Sequence, residues 1–181
     1  VLAFGEPMVE FNQTGGAGSR NYLQGFGGDT SNAAIAAARQ GAKVGYLTAL
    51  GPDLYGRMFR ELWDAEGVDH SLVRDDPDAY TAAYFVTHGP KGHEFSFFRA
   101  GSAASRIKPS DLPREAIGEA RILHLSGISL AISNSACDAC YTAIEAARAG
   151  GEVVSFDTNL RLRLWTKDRA RAVMTDVIGL S

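Results

Sequence analysis

The sequence predicts an α/β fold, in which a mainly parallel β-sheet is flanked by helices and carries a small β lid. Strand-like and helix-like segments alternate along most of the chain. The helical segments are long enough for βαβ crossovers between parallel strands. The length of 181 residues and the 45% content of hydrophobic residues suit one α/β domain with a sizeable core.

The first half of the chain contains two helical segments with clear end signals. An alanine-rich segment at 31–40 precedes Gly41, and glycine commonly follows the C terminus of a helix. A segment at 54–66 has apolar residues at helical spacing and precedes Gly67 in the same way. Short β-prone runs predict strands at 1–4 and 44–50.

The second half continues this alternation. An alanine-rich helical segment at 136–149 ends at a glycine pair, and Thr166 has the position of an N-cap for a last helix that runs to about Asp176. The residues at 177–181 are largely apolar and predict the opening of a further strand. Strands are also expected at 121–125 and 152–156.

Two segments interrupt the alternation and predict the lid. β-prone runs at 80–88 and 93–99 are joined by Gly-Pro-Lys-Gly, which is a hairpin signal. The polar, glycine-rich segment at 10–24 predicts another strand or loop of the same lid. We therefore expect lid segments at about 10–24 and 79–99, and exposed lid strands favour a homo-oligomer that forms through them.

Composition argues against several classes of partner. The net charge is −3 and the 18 lysines and arginines are dispersed, which does not suit a nucleic-acid-binding surface. The apolar runs are too short to span a membrane. Cys137 and Cys140 form a lone CxxC in a helical pattern, which packing explains better than a redox or zinc site. Without a disulfide framework, the sequence predicts a cytoplasmic protein.

The stretch at 25–32 is the most informative for function. Its paired glycines allow backbone to approach a ligand closely, and the following helix offers unpaired N–H groups at its N terminus. The polar residues from Asp29 onward could bind sugar hydroxyls, but they are also good N-caps, so composition alone leaves both interpretations open. A dinucleotide-binding fingerprint fits poorly, because it would need glycine where Thr30 stands.

Residues 27–34 (Gly-Gly-Asp-Thr-Ser-Asn-Ala-Ala) and 47–56 resemble the first signature of the ribokinase-like, phosphofructokinase-B-type carbohydrate kinases. Within that family, the chain is most similar to the 2-keto-3-deoxygluconate kinases, and the resemblance covers essentially all 181 residues. It corresponds to the N-terminal half, or somewhat more, of such a kinase. It implies that residues 1–181 are the N-terminal part of one ribokinase-like α/β domain. The stretches that resemble this subfamily are 5–10, 27–30, 125–130, 156–161 and 163–165.

The family's second signature, a Gly-Ala-Gly-Asp-type motif, has no counterpart in this sequence. By the resemblance, its aspartate is the catalytic base and its glycine-rich turn is the anion hole. We therefore expect the base beyond Ser181, together with the C-terminal ATP-binding part. The chain opens in strand-like residues without a methionine and closes on residues that predict the opening of a further strand, so we expect it to be trimmed at both ends. Because the base and the anion hole are missing, we expect it to be inactive alone.

The resemblance also implies a set of binding residues. Tyr84 on the first lid strand matches a substrate-contacting tyrosine, and Arg99 matches an arginine on the second lid strand. Phe97 stands where related kinases often have tyrosine, so one hydroxyl contact is lost there. Asn159 and Arg161 match a segment between the sugar and the nucleotide phosphate. Further substrate contacts are implied for Gly28, Asp29, Thr30, Ser31 and Asn32.

The chemistry of these residues is compatible with such roles. Ligands of open parallel sheets bind beyond the carboxyl ends of strands, and residues 157–163 directly follow a predicted strand. The planar guanidinium group of arginine suits carboxylates and phosphates. The usual place of an arginine, however, is the solvated surface.

The resemblance thus implies ATP- and Mg²⁺-dependent phosphorylation of a small acid sugar such as 2-keto-3-deoxygluconate, by alignment and charge neutralisation. Three alternatives remain open. A fructokinase or nucleoside kinase of the same family would share the glycine motif but would need fewer arginines beside its pocket. A non-catalytic sugar-binding module would fit the missing base, and a nucleotide-dependent oxidoreductase has only the glycines in its favour.

Overall fold

Strands and helices alternate in the computed structural model, which describes residues 1–16, 18–90 and 92–181. Ala17 and Lys91, which fall inside the two predicted lid segments, lie outside the described residues. The strands are β1 (Leu2–Phe4), β2 (Met8–Thr14), β3 (Asn21–Gly27), β4 (Val44–Leu50), β5 (Val68–Asp69), β6 (Val73–Asp75), β7 (Ala83–Gly89), β8 (Gly92–Phe98), β9 (Ile122–Ser126) and β10 (Val153–Asp157). The helices are α1 (Asp29–Arg39), α2 (Leu54–Glu66), α3 (Arg114–Gly118), α4 (Gly127–Ala131), α5 (Asn134–Ala149) and α6 (Lys167–Leu180).

The main sheet is parallel, as predicted. Its strands lie in the order β10-β9-β1-β4-β5, and β6 also pairs with β4. Because the strands run in one direction, the segments that follow β1, β9 and β10 leave from the same edge of the sheet. That edge is where the sequence places its candidate binding residues.

Alternate residues of the main sheet face two hydrophobic cores. In β4, Tyr46 and Leu50 lie in the core that contains Phe59 and Trp63 of α2. Leu47 and Ala49 of β4 lie in the opposite core, together with buried residues of α5 and α6. This burial on both faces is typical of parallel sheets and explains the nearly continuous apolar character of the strands.

The other four strands form a second sheet in the order β3-β2-β7-β8. The predicted hairpin is confirmed, because β7 and β8 are antiparallel with Ala83 opposite Phe98. The segment predicted at 10–24 contains most of β2 and the first four residues of β3. These two strands pair antiparallel, and β2 also pairs parallel with β7. Strand β8 is exposed along its whole length.

The helix ends follow the predicted signals except at the end of the chain. Gly41 and Gly67, which follow α1 and α2, have φ angles of 86° and 70°, in the left-handed region that favours glycine. The expected strand at 177–181 is wrong, since α6 runs to Leu180. Val177 continues the buried stripe of Ala170 and Met174 at helical spacing. Among the described residues, we find no helix with the length and apolarity needed to cross a membrane.

Candidate functional site

The candidate site lies where the segments after β1, β9 and β10 meet the N terminus of α1. Asp29, the first residue of α1, is its centre. The Oδ2 atom of Asp29 accepts hydrogen bonds from the Ser126 hydroxyl, at the end of β9, and from Nδ2 of Asn159, after β10, at 3.1 Å. The described residues donate no hydrogen bond to Oδ1 of Asp29. One oxygen of a fixed carboxylate is thus available to a ligand.

Glycines bring the backbone close together at this point. Gly28 precedes α1 with φ 101°, and a Cβ atom there would lie 2.6 Å from the carbonyl oxygen of Glu6. A Cβ atom on Gly27 would lie 2.5 Å from the hydroxyl oxygen of Tyr84. A side chain at either position would therefore push apart the start of α1 and its neighbours.

Thr30 and Ser31 point into the core rather than into the site. The Thr30 hydroxyl lies 2.8 Å from the hydroxyl of Tyr46, and the Ser31 hydroxyl accepts a hydrogen bond of 3.0 Å from Nε1 of Trp63. Both residues are buried, and both side chains are engaged in these core hydrogen bonds. This corrects the expectation that their side chains bind sugar hydroxyls. Asn32, one residue further along α1, is exposed.

The second sheet presents aromatic rings and a carboxylate beside α1. Tyr84 on β7 and Phe97 on β8 are register partners, and their rings stack at 5.7 Å. The Tyr84 hydroxyl donates a hydrogen bond to Oε2 of Glu10. Burial, and then the hydrogen bond to the Glu10 carboxylate, raise the pKa of the Tyr84 phenol. Tyr84 therefore stays a neutral donor next to Gly27.

Arg99, which follows β8, does not stand free. Its Nη2 donates a hydrogen bond to Oε2 of Glu6, and the Ser102 hydroxyl donates one of 2.6 Å to Oε1 of the same carboxylate. The side chain of Glu6 is 0% exposed and that of Arg99 is 14% exposed. Burial raises the pKa of the Glu6 carboxyl, and the Arg99 guanidinium opposes that rise. The guanidinium also stands over the ring of Phe97, at 5.9 Å from its centroid.

The pairing with Glu6 was missed by the sequence reasoning, which assigned this residue no role. A signal was present, because Glu6 is a charged residue between two short apolar strands, where burial is expected. A buried charge rarely lacks a partner. Ser126 was also missed as a partner of Asp29, although its position at a strand end resembles that of other site residues.

The segment after β10 contributes Asn159 and Arg161 in different ways. Asn159 has φ 34°, and its backbone N–H donates to Oδ1 of Asp157 at 3.0 Å. This turn directs the Asn159 amide towards Asp29. Arg161 is exposed, and its Nη1 donates to the carbonyl of Leu160 at 3.1 Å. The structure thus brings Asn159 to Asp29, whereas it shows no contact between Arg161 and Arg99 in the described ranges.

Comparisons with known proteins show which proteins this chain is similar to. A 2-dehydro-3-deoxygluconokinase from Thermoproteus tenax is 35% identical over an alignment 187 residues long, which covers 99% of this chain and 56% of that protein. The probable fructokinase-7 of Arabidopsis thaliana is 35% identical over 175 residues, which cover 94% and 51%. The structure of a fructokinase with bound ATP from Xylella fastidiosa matches with a TM-score of 0.90 and 27% identity, over 100% of this chain and 55% of that one.

The chain therefore spans about half the length of the relatives that it matches. Its fold is that of the ribokinase-like kinases. The profile of the pfkB family carbohydrate kinases matches residues 2–180. With nearly the whole chain matched and the glycine motif placed at the start of α1, the chain belongs to the pfkB family of carbohydrate kinases.

Proposed function

We propose that the complete protein phosphorylates a hydroxyl of a small acid sugar, with 2-keto-3-deoxygluconate as its preferred substrate. In this proposal, residues 1–181 supply the sugar pocket. The observation that supports it best is the position of Asp29, a fixed carboxylate with one available oxygen at a helix N terminus. The guanidinium of Arg99 is joined to this region through Glu6, whose carbonyl oxygen would lie 2.6 Å from a Cβ atom on Gly28.

The hydroxyl groups of the sugar would be bound by Asp29 and the backbone around it. A carboxylate oxygen accepts hydrogen bonds from hydroxyls, and a bond to a charged group contributes about 1.5–3 kcal/mol. The glycines at 27 and 28 keep the start of α1 close to Tyr84 and to the backbone of Glu6, so these groups lie together at the pocket. Tyr84 would add a side of the pocket from the second sheet.

The carboxylate of the sugar would be bound by Arg99. Its Nε is buried and has no hydrogen-bond partner among the residues that the structure describes. The Arg99 side chain is 14% exposed, so a substrate carboxylate would accept a charge-assisted hydrogen bond from an accessible part of the guanidinium rather than from this buried Nε. The Nη2 atom would remain paired with Glu6.

Phosphoryl transfer depends mainly on alignment and charge neutralisation. The residues after β10 fit an anionic group, because the Arg161 side chain is exposed beyond the carboxyl end of the sheet, beside Asn159. We propose that both contact the phosphate and that ATP brings Mg²⁺, which binds largely through phosphates and water. The base and most of the ATP site would lie outside these residues, so the 181-residue chain alone would be inactive.

The second sheet would act as a lid that excludes water from the pocket. Its exposed strand β8 is also the proposed contact for a homo-oligomer. Cys137 and Cys140 are free thiols buried in α5, as packing residues would be. Because they form no disulfide, we propose the cytoplasm as the compartment.

A fructokinase is the second candidate, and a specific observation favours it. Glu6 already neutralises Arg99, so the pocket has less unpaired positive charge than the sequence suggested. The fructokinase relative is also as similar to this chain as the 2-dehydro-3-deoxygluconokinase.

The test is ATP-dependent turnover of 2-keto-3-deoxygluconate and of fructose by the full-length protein. We expect a higher kcat/KM for the acid sugar. A preference for fructose would replace the proposal with a fructokinase. Sugar binding without turnover of either compound would favour the non-catalytic binding module instead.

A further inference from the structure

Glu6 joins two chain segments that connect the sheets. It lies in the connection at 5–7, between β1 of the main sheet and β2 of the second sheet. Arg99 and Ser102 lie in the segment that returns from β8. Because the Glu6 carboxylate accepts hydrogen bonds from both residues, one buried side chain joins the outgoing and the returning segment.

The pair uses only part of the hydrogen-bonding capacity of Arg99. Each oxygen of the buried carboxylate has one partner, as a buried charge requires. Arg99 contributes Nη2 to this pair, and within the described ranges neither Nε nor Nη1 donates a hydrogen bond. Since the guanidinium is planar and rigid, holding Nη2 also restricts the directions of its other N–H groups.

We propose that Glu6 is a positioning residue for the pocket and acts through Arg99. It orients the guanidinium so that its accessible part faces the carboxylate of the substrate. The identity of that substrate rests on the proposed function, whereas the coupling between Glu6 and Arg99 can be measured without it. A residue that merely supports the fold would act on stability and would affect both sugars alike.

The test is a double-mutant cycle in the full-length protein, with Glu6→Gln, Arg99→Gln and the double variant. Glu66→Gln is the matched control, because Glu66 also pairs with an arginine, Arg39, but at the C-terminal end of α1. For each protein we would measure kcat and KM for 2-keto-3-deoxygluconate and fructose, and the midpoint of thermal unfolding.

We expect Glu6→Gln to raise the KM for the acid sugar about tenfold or more, the effect of weakening one charge-assisted hydrogen bond. The KM for fructose and both kcat values should change much less. In the Arg99→Gln background, Glu6→Gln should have no further effect on KM. Arg99→Gln should lower the unfolding midpoint most, and the double variant should recover part of that loss, since the neutral amide introduced by Glu6→Gln does not need a cation beside it.

A further variant keeps the test decisive if Arg99→Gln does not fold. Arg99→Lys keeps the positive charge but not the planar group, so it should fold and still lose affinity for the acid sugar. An unchanged KM in Arg99→Lys would overturn the inference. The inference would also be overturned if Glu6→Gln raised the KM for the acid sugar equally with and without Arg99. Additive changes of the unfolding midpoint in the double variant would overturn it as well. A wild-type preference for fructose would refute the proposed function alone, and non-additive KM values for the acid sugar would then still support the positioning role.

Discussion

Replacing Ser126 with alanine should weaken sugar binding as well as stability. The hydroxyl of Ser126 donates to Oδ2 of Asp29 and accepts from the backbone N–H groups of Ile128 and Ser129, at 3.2 and 3.4 Å. It is therefore both the N-cap of α4 and a support for the proposed sugar ligand Asp29. Alanine removes both roles without adding bulk.

The expected size follows from these contacts. Loss of an N-cap costs about 1 kcal/mol, and loss of a hydrogen bond to a carboxylate costs about 1.5–3 kcal/mol. We therefore expect the free energy of unfolding to fall by about 2.5–4 kcal/mol. Asp29 would keep Asn159 as its only partner in the described structure, and the sugar Kd should rise about tenfold, which corresponds to about 1.4 kcal/mol.

Ser133→Ala is the matched control. Ser133 is the N-cap of α5, where its hydroxyl accepts from the backbone N–H of Ala136 at 2.9 Å and donates to the carbonyl of Ser105 at 2.6 Å. It should destabilise the protein without changing the Kd. Urea unfolding and calorimetric titration with 2-keto-3-deoxygluconate would measure both quantities. An unchanged Kd in Ser126→Ala, or an equal rise in Ser133→Ala, would refute the reasoning.

Two further predictions concern dynamics and pH. Because β8 is exposed, amide hydrogens of β7 and β8 should exchange faster than those of β4 and β10. Their exchange should slow when sugar binds. Equal protection of all four strands, without an effect of sugar, would contradict a lid. Burial raises the pKa of Glu6 above its ordinary value of 4.5, so its contribution to stability is complete below that pH and is lost as the pH rises through the folded pKa. The free energy of unfolding of wild type and Glu6→Gln should therefore be measured from pH 4.5 upward. Wild type should lose stability relative to the variant as the pH rises, and a difference that stays constant with pH would argue against the raised pKa.

Much of the fold could be predicted because its signals are local. The predicted segments at 44–50 and 54–66 coincide with β4 and α2. The start of α2 is specified by Asp53, whose side chain accepts from the backbone N–H of Gly56, and its end by Gly67. Residues 177–181 lacked such a signal. Their apolar content fits a strand and a helix equally well, and only the packing of Val177 into the core distinguishes the two.

The candidate site was predicted in its residues but not in its contacts. Asp29 could be found because the glycine motif and the helix start are adjacent in sequence. Whether Thr30 and Ser31 face the pocket or the core could not be found, because their partners Tyr46 and Trp63 are 16 and 32 residues away. A hydroxyl suits a buried hydrogen bond as well as a ligand, so residue type alone did not decide between them.

The pairing of Glu6 with Arg99 changes how an acid sugar could be selected. The sequence suggested selection by positive charge, whereas the partner of Arg99 lies 93 residues away and neutralises it. A neutral pair attracts an anion weakly at long range, but it can still direct N–H groups at a carboxylate over a short distance. Discrimination between an acid sugar and fructose would then depend on the orientation of Arg99 rather than on excess charge. Since orientation is maintained by Glu6, the specificity of the pocket would be determined partly by a side chain that is itself 0% exposed.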